Sequence, residues 1–141
     1  MVEFALIVPI LLALLFGIIS YGYMLSYRQA MTQAATEGAR AAALAPQGAD
    51  LAARARSAVN RSLEPYGVTC TAAGNLSRNG TTVGTCTIPS ATAACANATT
   101  KPCITVRLTH NYRDKPLIPS FPGLGITLPS TVSYASVMEA N

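Results

Sequence analysis

Residues 1–29 read MVEFALIVPILLALLFGIISYGYMLSYRQ, and how this stretch is read decides the fold. From Phe4 to Tyr27 there is no charged residue, and Phe4–Ile19 holds only apolar side chains with Pro9 and Gly17. A helix needs roughly 20 apolar residues to cross a bilayer, and the run meets that length. A removed secretory signal would open with basic residues and end at a small-residue cleavage site. Here the leading charge is Glu3, and no such site precedes Arg28. The run therefore reads as a retained hydrophobic helix over 1–27. Tyr21, Tyr23 and Tyr27 are expected at the membrane–water boundary, where aromatic rings with a polar tip are favoured.

Beyond Arg28 the chain continues as AMTQAATEGARAAALA over 30–45. Polar residues fall at 28, 29, 32, 33, 36, 37 and 40, close to a 3.6 period, which predicts an amphipathic continuation of the same helix over 28–45. Its other face is Ala30, Met31, Ala34, Ala35, Gly38, Ala39 and Ala42, small enough for another backbone to approach closely. Glu37 and Arg40 are spaced for an i,i+3 pair. An unbroken helix from 4 to 44 would be on the order of 60 Å long. Pro9 lacks an N–H and is expected to kink it near residues 5–9.

Pro46 and Gly48 end that helix, and an exported head is expected over 46–141. A second helix is predicted over 49–64, with Leu51, Ala55, Val59 and Leu63 on one face and Asp50 as an i,i+4 partner for Arg54. After Pro65 and Gly67 the chain turns rich in Thr, Val and Ile, and strands are predicted near 67–73, 82–88, 103–112 and 130–139. In the third of these Ile104, Val106 and Leu108 alternate with Thr105, Arg107 and Thr109, giving one inward face. Pro116, Pro119, Pro122 and Pro129 mark the span 115–130 as a crossover and not a central strand. The fold class is α+β: a long N-terminal hydrophobic helix packed at its distal half on a second helix and a small antiparallel β-sheet head.

Four cysteines, Cys70, Cys86, Cys95 and Cys103, lie in the head without any C-x-x-C pair, which argues against a zinc site. Behind an export segment an even count reads as two disulfides, with three possible connectivities. Cys70–Cys86 with Cys95–Cys103 is favoured, because VTCTA and GTCTI resemble hairpin arms whose turn, centred near Arg78, sets 70 opposite 86. A turn at Asn79-Gly80 would instead shift that register by about three residues.

The block VEFALIVPILLALLFGII, followed by Tyr, Met and an Ala-rich helix, resembles the TadE-like pilins and pseudopilins of the tight-adherence (Tad) pilus, a branch of the type IV pilin superfamily. The distal segment ITVRLTHNYRDKPLIPSFPGLGITLPSTVSYASVMEAN is similar to that family's C-terminal pattern. The resemblance implies a subunit held in the cytoplasmic membrane, processed by a prepilin peptidase, and passed by an inner-membrane platform into an extracellular filament. Its neighbours would be copies of itself or other pilin-like subunits. It implies that Glu3 neutralises the α-amine of a neighbour, and that Phe4, Leu6, Ile7, Leu11, Leu14, Leu15 and Ile18 interlock in the filament core. The family's glutamate usually stands fifth after the cleavage point and here stands third, so the expectation is a leader with two further residues, a different cut, or Met1 as an assigned start.

Other function classes fit less well. The chain has one histidine, six scattered acidic residues and no Gly-rich phosphate loop, so neither catalysis nor a cofactor is expected. The net charge of +4 is dispersed, with no basic cluster interleaved with aromatics, so nucleic acid is not an expected partner. The alternative is a single-pass membrane-anchored binding domain that does not polymerise. That alternative favours a flexible tether near 28–45, where the sequence instead predicts helix.

Overall fold

The first helix, α1 (Val2–Ala43), is continuous through Pro9 and through the change from apolar to Ala-rich sequence near Arg28. The computed structural model describes residues 2–118 and 128–140, with side chains throughout except at 2, 3 and 99. Most of the Pro-rich crossover, including Pro119 and Pro122, lies outside the described residues.

The distal half of α1 carries the head on the small-residue face expected from sequence. Ala30, Met31, Ala34, Ala35, Gly38, Ala39 and Ala42 are all buried. Against them lies α2 (Leu51–Leu63), presenting Ala55, Val59 and Leu63. Gly38 sits where three elements meet: a Cβ there would stand 2.7 Å from Val59 Cγ2, 3.4 Å from the Ala55 carbonyl oxygen and 3.5 Å from Val106 Cγ1. Asp50 does not pair with Arg54 as expected. It is the N-cap of α2, accepting the Ala53 N–H at 3.0 Å, which satisfies one of the donors a helix start leaves open. The Glu37–Arg40 pair does not form either. Among the described residues the one ion pair is Lys101–Glu139, which is exposed and so contributes little. A 3₁₀ turn (Glu64–Tyr66) and the left-handed Gly67 end α2.

The sheet is antiparallel and contains two strands that the sequence reading missed. β1 (Val68–Cys70), β2 (Asn75–Arg78) and β3 (Thr81–Thr87) form a meander, not the expected two-arm hairpin. Asn79 and Gly80, both at positive φ, make the tight β2–β3 turn with Arg78 opposite Thr81. The alternative register thus applies, yet Cys70 still bonds to Cys86. Cys70 faces Leu76 on β2, while β3 bulges at Val83 and runs past the start of β2, where the Cys86 N–H meets the Gly74 carbonyl. The bridge passes around the end of β2, with the two Cα atoms 5.8 Å apart.

β5 (Ala98–His110) is the central strand and begins five residues earlier than predicted. Its first half forms a hairpin with β4 (Ala93–Cys95), where the second disulfide, Cys95–Cys103, closes the short loop as expected. Its second half pairs with β3 on one edge and with β6 (Val132–Glu139) on the other, in register from Cys103↔Glu139 to His110↔Val132. Ile104, Val106 and Leu108 face α1 and the core, while Arg107 faces out.

Each bridge limits the unfolded chain more than the folded one, and the closed loop around Cys70–Cys86 is the longer. Serine at both positions 70 and 86 is expected to lower head stability by about 3 kcal/mol. Chemical denaturation of the full chain in detergent reads this directly, and an unchanged midpoint would contradict it.

Candidate functional site

The proximal half of α1 exposes nearly all of its large apolar side chains. Phe4 is 74% exposed and Ile18 64%, and Leu6, Ile7, Leu11, Leu14 and Leu15 are exposed with them. Ile10, Leu12, Phe16 and Ile19 are exposed too, so the apolar surface runs all the way round and not along one face. A helix apolar on every side belongs in lipid or inside a bundle. This one is long and apolar enough to cross a membrane, and among the described residues none in its most hydrophobic window is buried. Glu3 lies in the first turn of α1, and its side chain is outside the described set.

The head takes hold of α1 earlier than the sequence suggested. Of the three tyrosines expected at a membrane boundary only Tyr21 is mainly exposed, Tyr23 is half-buried and Tyr27 is wholly buried, as is Met24. Met24, Tyr27, Ala30 and Met31 extend the buried stripe of the distal half backwards, at helical spacing. The Tyr27 ring packs edge-on against Tyr66, with centroids 5.2 Å apart, and against His110 at the same separation. Tyr23 also meets Tyr66 edge-on at 5.6 Å, and Ser26 shares a 2.6 Å hydrogen bond with the Tyr66 hydroxyl.

His110 is the buried polar residue of this seat, and both its ring nitrogens are occupied. Nε2 lies 2.9 Å from the Lys115 carbonyl, which can only accept, so Nε2 carries the proton. Nδ1 therefore accepts from the Tyr27 hydroxyl at 2.7 Å. The network ties α1, the end of β5 and the start of the crossover together through a neutral imidazole. Burial, with a smaller contribution from Arg78, pushes the His110 pKa below its ordinary 6.5, while the Lys115 hydrogen bond acts the other way. The unfolded chain then takes up a proton before the folded one, so stability is full above pH 6.5 and falls as pH drops below it. Melting temperature should decline between about pH 6.5 and 5, before carboxylates begin to titrate. In His110→Gln that decline should vanish, and a slope of the same size in the variant would show that another group is responsible.

Two of the dispersed basic residues bind backbone at the crossover. Arg113 donates from Nε and Nη2 to the Leu128 carbonyl at 3.2 and 2.8 Å, and Arg78 Nη1 donates to the Leu117 carbonyl at 2.8 Å. They pin both ends of the crossover, with Leu117 and Leu128 buried beside them. Nothing in the local sequence marks these partners, because backbone carbonyls carry no side-chain signal.

Over residues 1–40 the chain matches the family described as TadE-like protein. The match spans the bare helix and most of its seating in the head, and it agrees with the resemblance carried by the VEFALIVPILLALLFGII block. The distal segment compared with the same family lies outside the matched residues. No curated protein and no solved structure matches the chain.

Proposed function

We propose that this chain is a structural subunit, a pilin or minor pseudopilin, of a Tad-type filament related to type IV pili. One observation carries the reading: a helix apolar on all sides continues without a tether into a disulfide-braced head. Before assembly the bare half of α1 holds the subunit in the cytoplasmic membrane. On assembly the same surface exchanges lipid for the helices of neighbours, so that Phe4, Leu6, Ile7, Leu11, Leu14, Leu15 and Ile18 form the filament core and the head its outer layer. The partners are other copies or pilin-like subunits, reached through a prepilin peptidase and a membrane platform, and the filament serves surface attachment. The role is structural and not catalytic: His110, the single histidine, already spends both nitrogens holding α1 in place.

In this reading Glu3 pairs with the α-amine of a neighbour. A carboxylate in an apolar bundle is costly unless paired, so it acts as a register device more than a source of net stability. Glu3→Ala should leave the subunit in the membrane fraction but sharply reduce its incorporation into sheared surface fibres, read by electron microscopy and mass spectrometry of the fibres. Normal fibres from that variant would remove Glu3 from the mechanism. Wild-type protein found in membranes and never in fibres would favour an anchored binding domain instead.

A further inference from the structure

We propose that the Cys95–Cys103 bridge is a site of thiol–disulfide exchange, open to an external dithiol, and that its reduction releases β4 from the outer face of the head. Cys70–Cys86 stays closed under the same conditions.

The two bridges stand in different surroundings. Cys70 and Cys86 are 3% and 1% exposed, and they lie in the core beside Leu76 and Leu108, their partners across the sheet. Cys95 and Cys103 are only half-buried. Both border a cavity of about 410 Å³ on the face of the sheet turned away from α1, together with Thr105, Arg107 and Val137. Exchange requires a thiolate to reach a bridge sulfur. A reductant meets the second bridge in the folded head, and the first only after the core opens.

The segment that carries Cys95 has little else to hold it. From Ser90 to Asn97 every residue is exposed except Cys95. β4 is three residues long, its register on β5 shifts after Ala94, and Ala94 stands opposite Pro102, which has no N–H to donate. A two-stranded ribbon of this size is marginal in water. The β5 side is held independently. The Ala140 N–H donates to the Pro102 carbonyl at 2.9 Å, Lys101 pairs with Glu139, and β6 runs in register from Cys103 onward. Reduction therefore frees 90–97 while β5 stays in the sheet. The cavity wall made by Ala93, Ala94 and Ala96 leaves with the freed segment, and the β5 edge over Ala98–Cys103 loses its partner.

In the exchange a thiolate of the dithiol attacks one bridge sulfur, forming a mixed disulfide and expelling the other cysteine as a thiolate. The second sulfur of the dithiol then attacks the mixed disulfide, expels the first cysteine and departs as a cyclic disulfide. Two electrons pass to the bridge, and the two protons of the dithiol end on the cysteines. Lys101 and Arg107 lie on the same face of β5 as Cys103 and favour its thiolate. Glu139, opposite Cys103 on β6, is bound to Lys101.

The test treats the full chain in detergent with dithiothreitol at mildly alkaline pH, quenches at intervals with iodoacetamide and locates the alkylated cysteines by peptide mass spectrometry. Cys95 and Cys103 are expected to be alkylated about tenfold faster than Cys70 and Cys86. Equal rates, or Cys70–Cys86 opening first, would overturn the assignment. Hydrogen exchange on the selectively reduced chain, and on Cys95→Ser/Cys103→Ser, reads the release. Amides over 93–103 should lose protection while those over 104–110 keep it. Unchanged protection over 93–103 would show that strand pairing, and not the bridge, holds β4. Loss spreading into 104–110 would show that the bridge supports the whole sheet, and either result would overturn the local release.

Discussion

Gly84→Ala is expected to lower head stability by about 4 kcal/mol. Gly84 lies on β3 beside the Val83 bulge and pairs with His110 on β5. A Cβ at this position would overlap the Thr109 carbonyl oxygen and stand 2.8 Å from His110 Cα. These are backbone atoms of the central strand, which is fixed on its other edge by β6. No rotamer change relieves the overlap, so the strands must part. Overpacking in a close-packed site ordinarily costs about 1–3 kcal/mol, and loss of strand pairing at a buried junction adds to it. The same displacement would pull His110 away from Tyr27 and loosen the head's hold on α1. Denaturation of the full chain in detergent, compared with Gly80→Ala at the exposed β2–β3 turn, measures this. At Gly80 nothing lies within 4 Å of the added Cβ, and only the strain of its positive φ remains. An equal loss at both positions would mean that backbone conformation, and not the approach of β5, sets the need for glycine.

That junction also shows what was and was not legible in the sequence. Long periodic stretches were readable: the Ala face of α1, the Leu51–Ala55–Val59–Leu63 stripe of α2, and the alternation of Ile104, Val106 and Leu108 on β5. The signal was missed where it was only one residue deep. β2 buries only Leu76 among its four residues and β4 buries none, so neither has an alternation to detect. The Cys70–Cys86 pairing was correct although its supporting hairpin was not, because the bulge at Val83 and the turn at Asn79-Gly80 compensate for an inserted strand. For the seat, the cues existed but were read on too short a window. His110 continues the inward series 104, 106, 108, and Tyr27 and Met24 continue the buried stripe of α1 backwards from Ala30. A membrane boundary at Tyr27 follows from its side chain alone, which favours the headgroup level. Its partner lies 83 residues away in the chain, and only the folded sheet brings the two together.

Arginine at both Leu11 and Leu14 is expected to remove the subunit from the membrane and from fibres while leaving the head folded. Both leucines are about 60% exposed, at 61% and 60%, and both precede the buried stripe that begins at Met24. Replacing them changes no contact within the head, so its denaturation midpoint should stay within about 0.5 kcal/mol of the wild type. In a bilayer the situation reverses. An arginine near the centre of a spanning helix costs about 3 kcal/mol on insertion scales, so two near the middle of the bare stretch cost about 6 kcal/mol. That is roughly four orders of magnitude in partitioning. Within a filament the same residues would face apolar neighbours with no carboxylate supplied to pair them, and unpaired charge is penalised there as well. Carbonate extraction of membranes, run beside the detergent denaturation curve, separates the two effects. Retention in the membrane with an unchanged head would show that residues 4–22 do not supply the anchor. Loss of the head together with the anchor would show that the proximal helix is needed for folding, contrary to the exposure of both leucines. This separation follows from the architecture: the exposed proximal surface of α1, proposed to serve anchoring and assembly, can be altered at Leu11 and Leu14 without entering the buried core that carries the head.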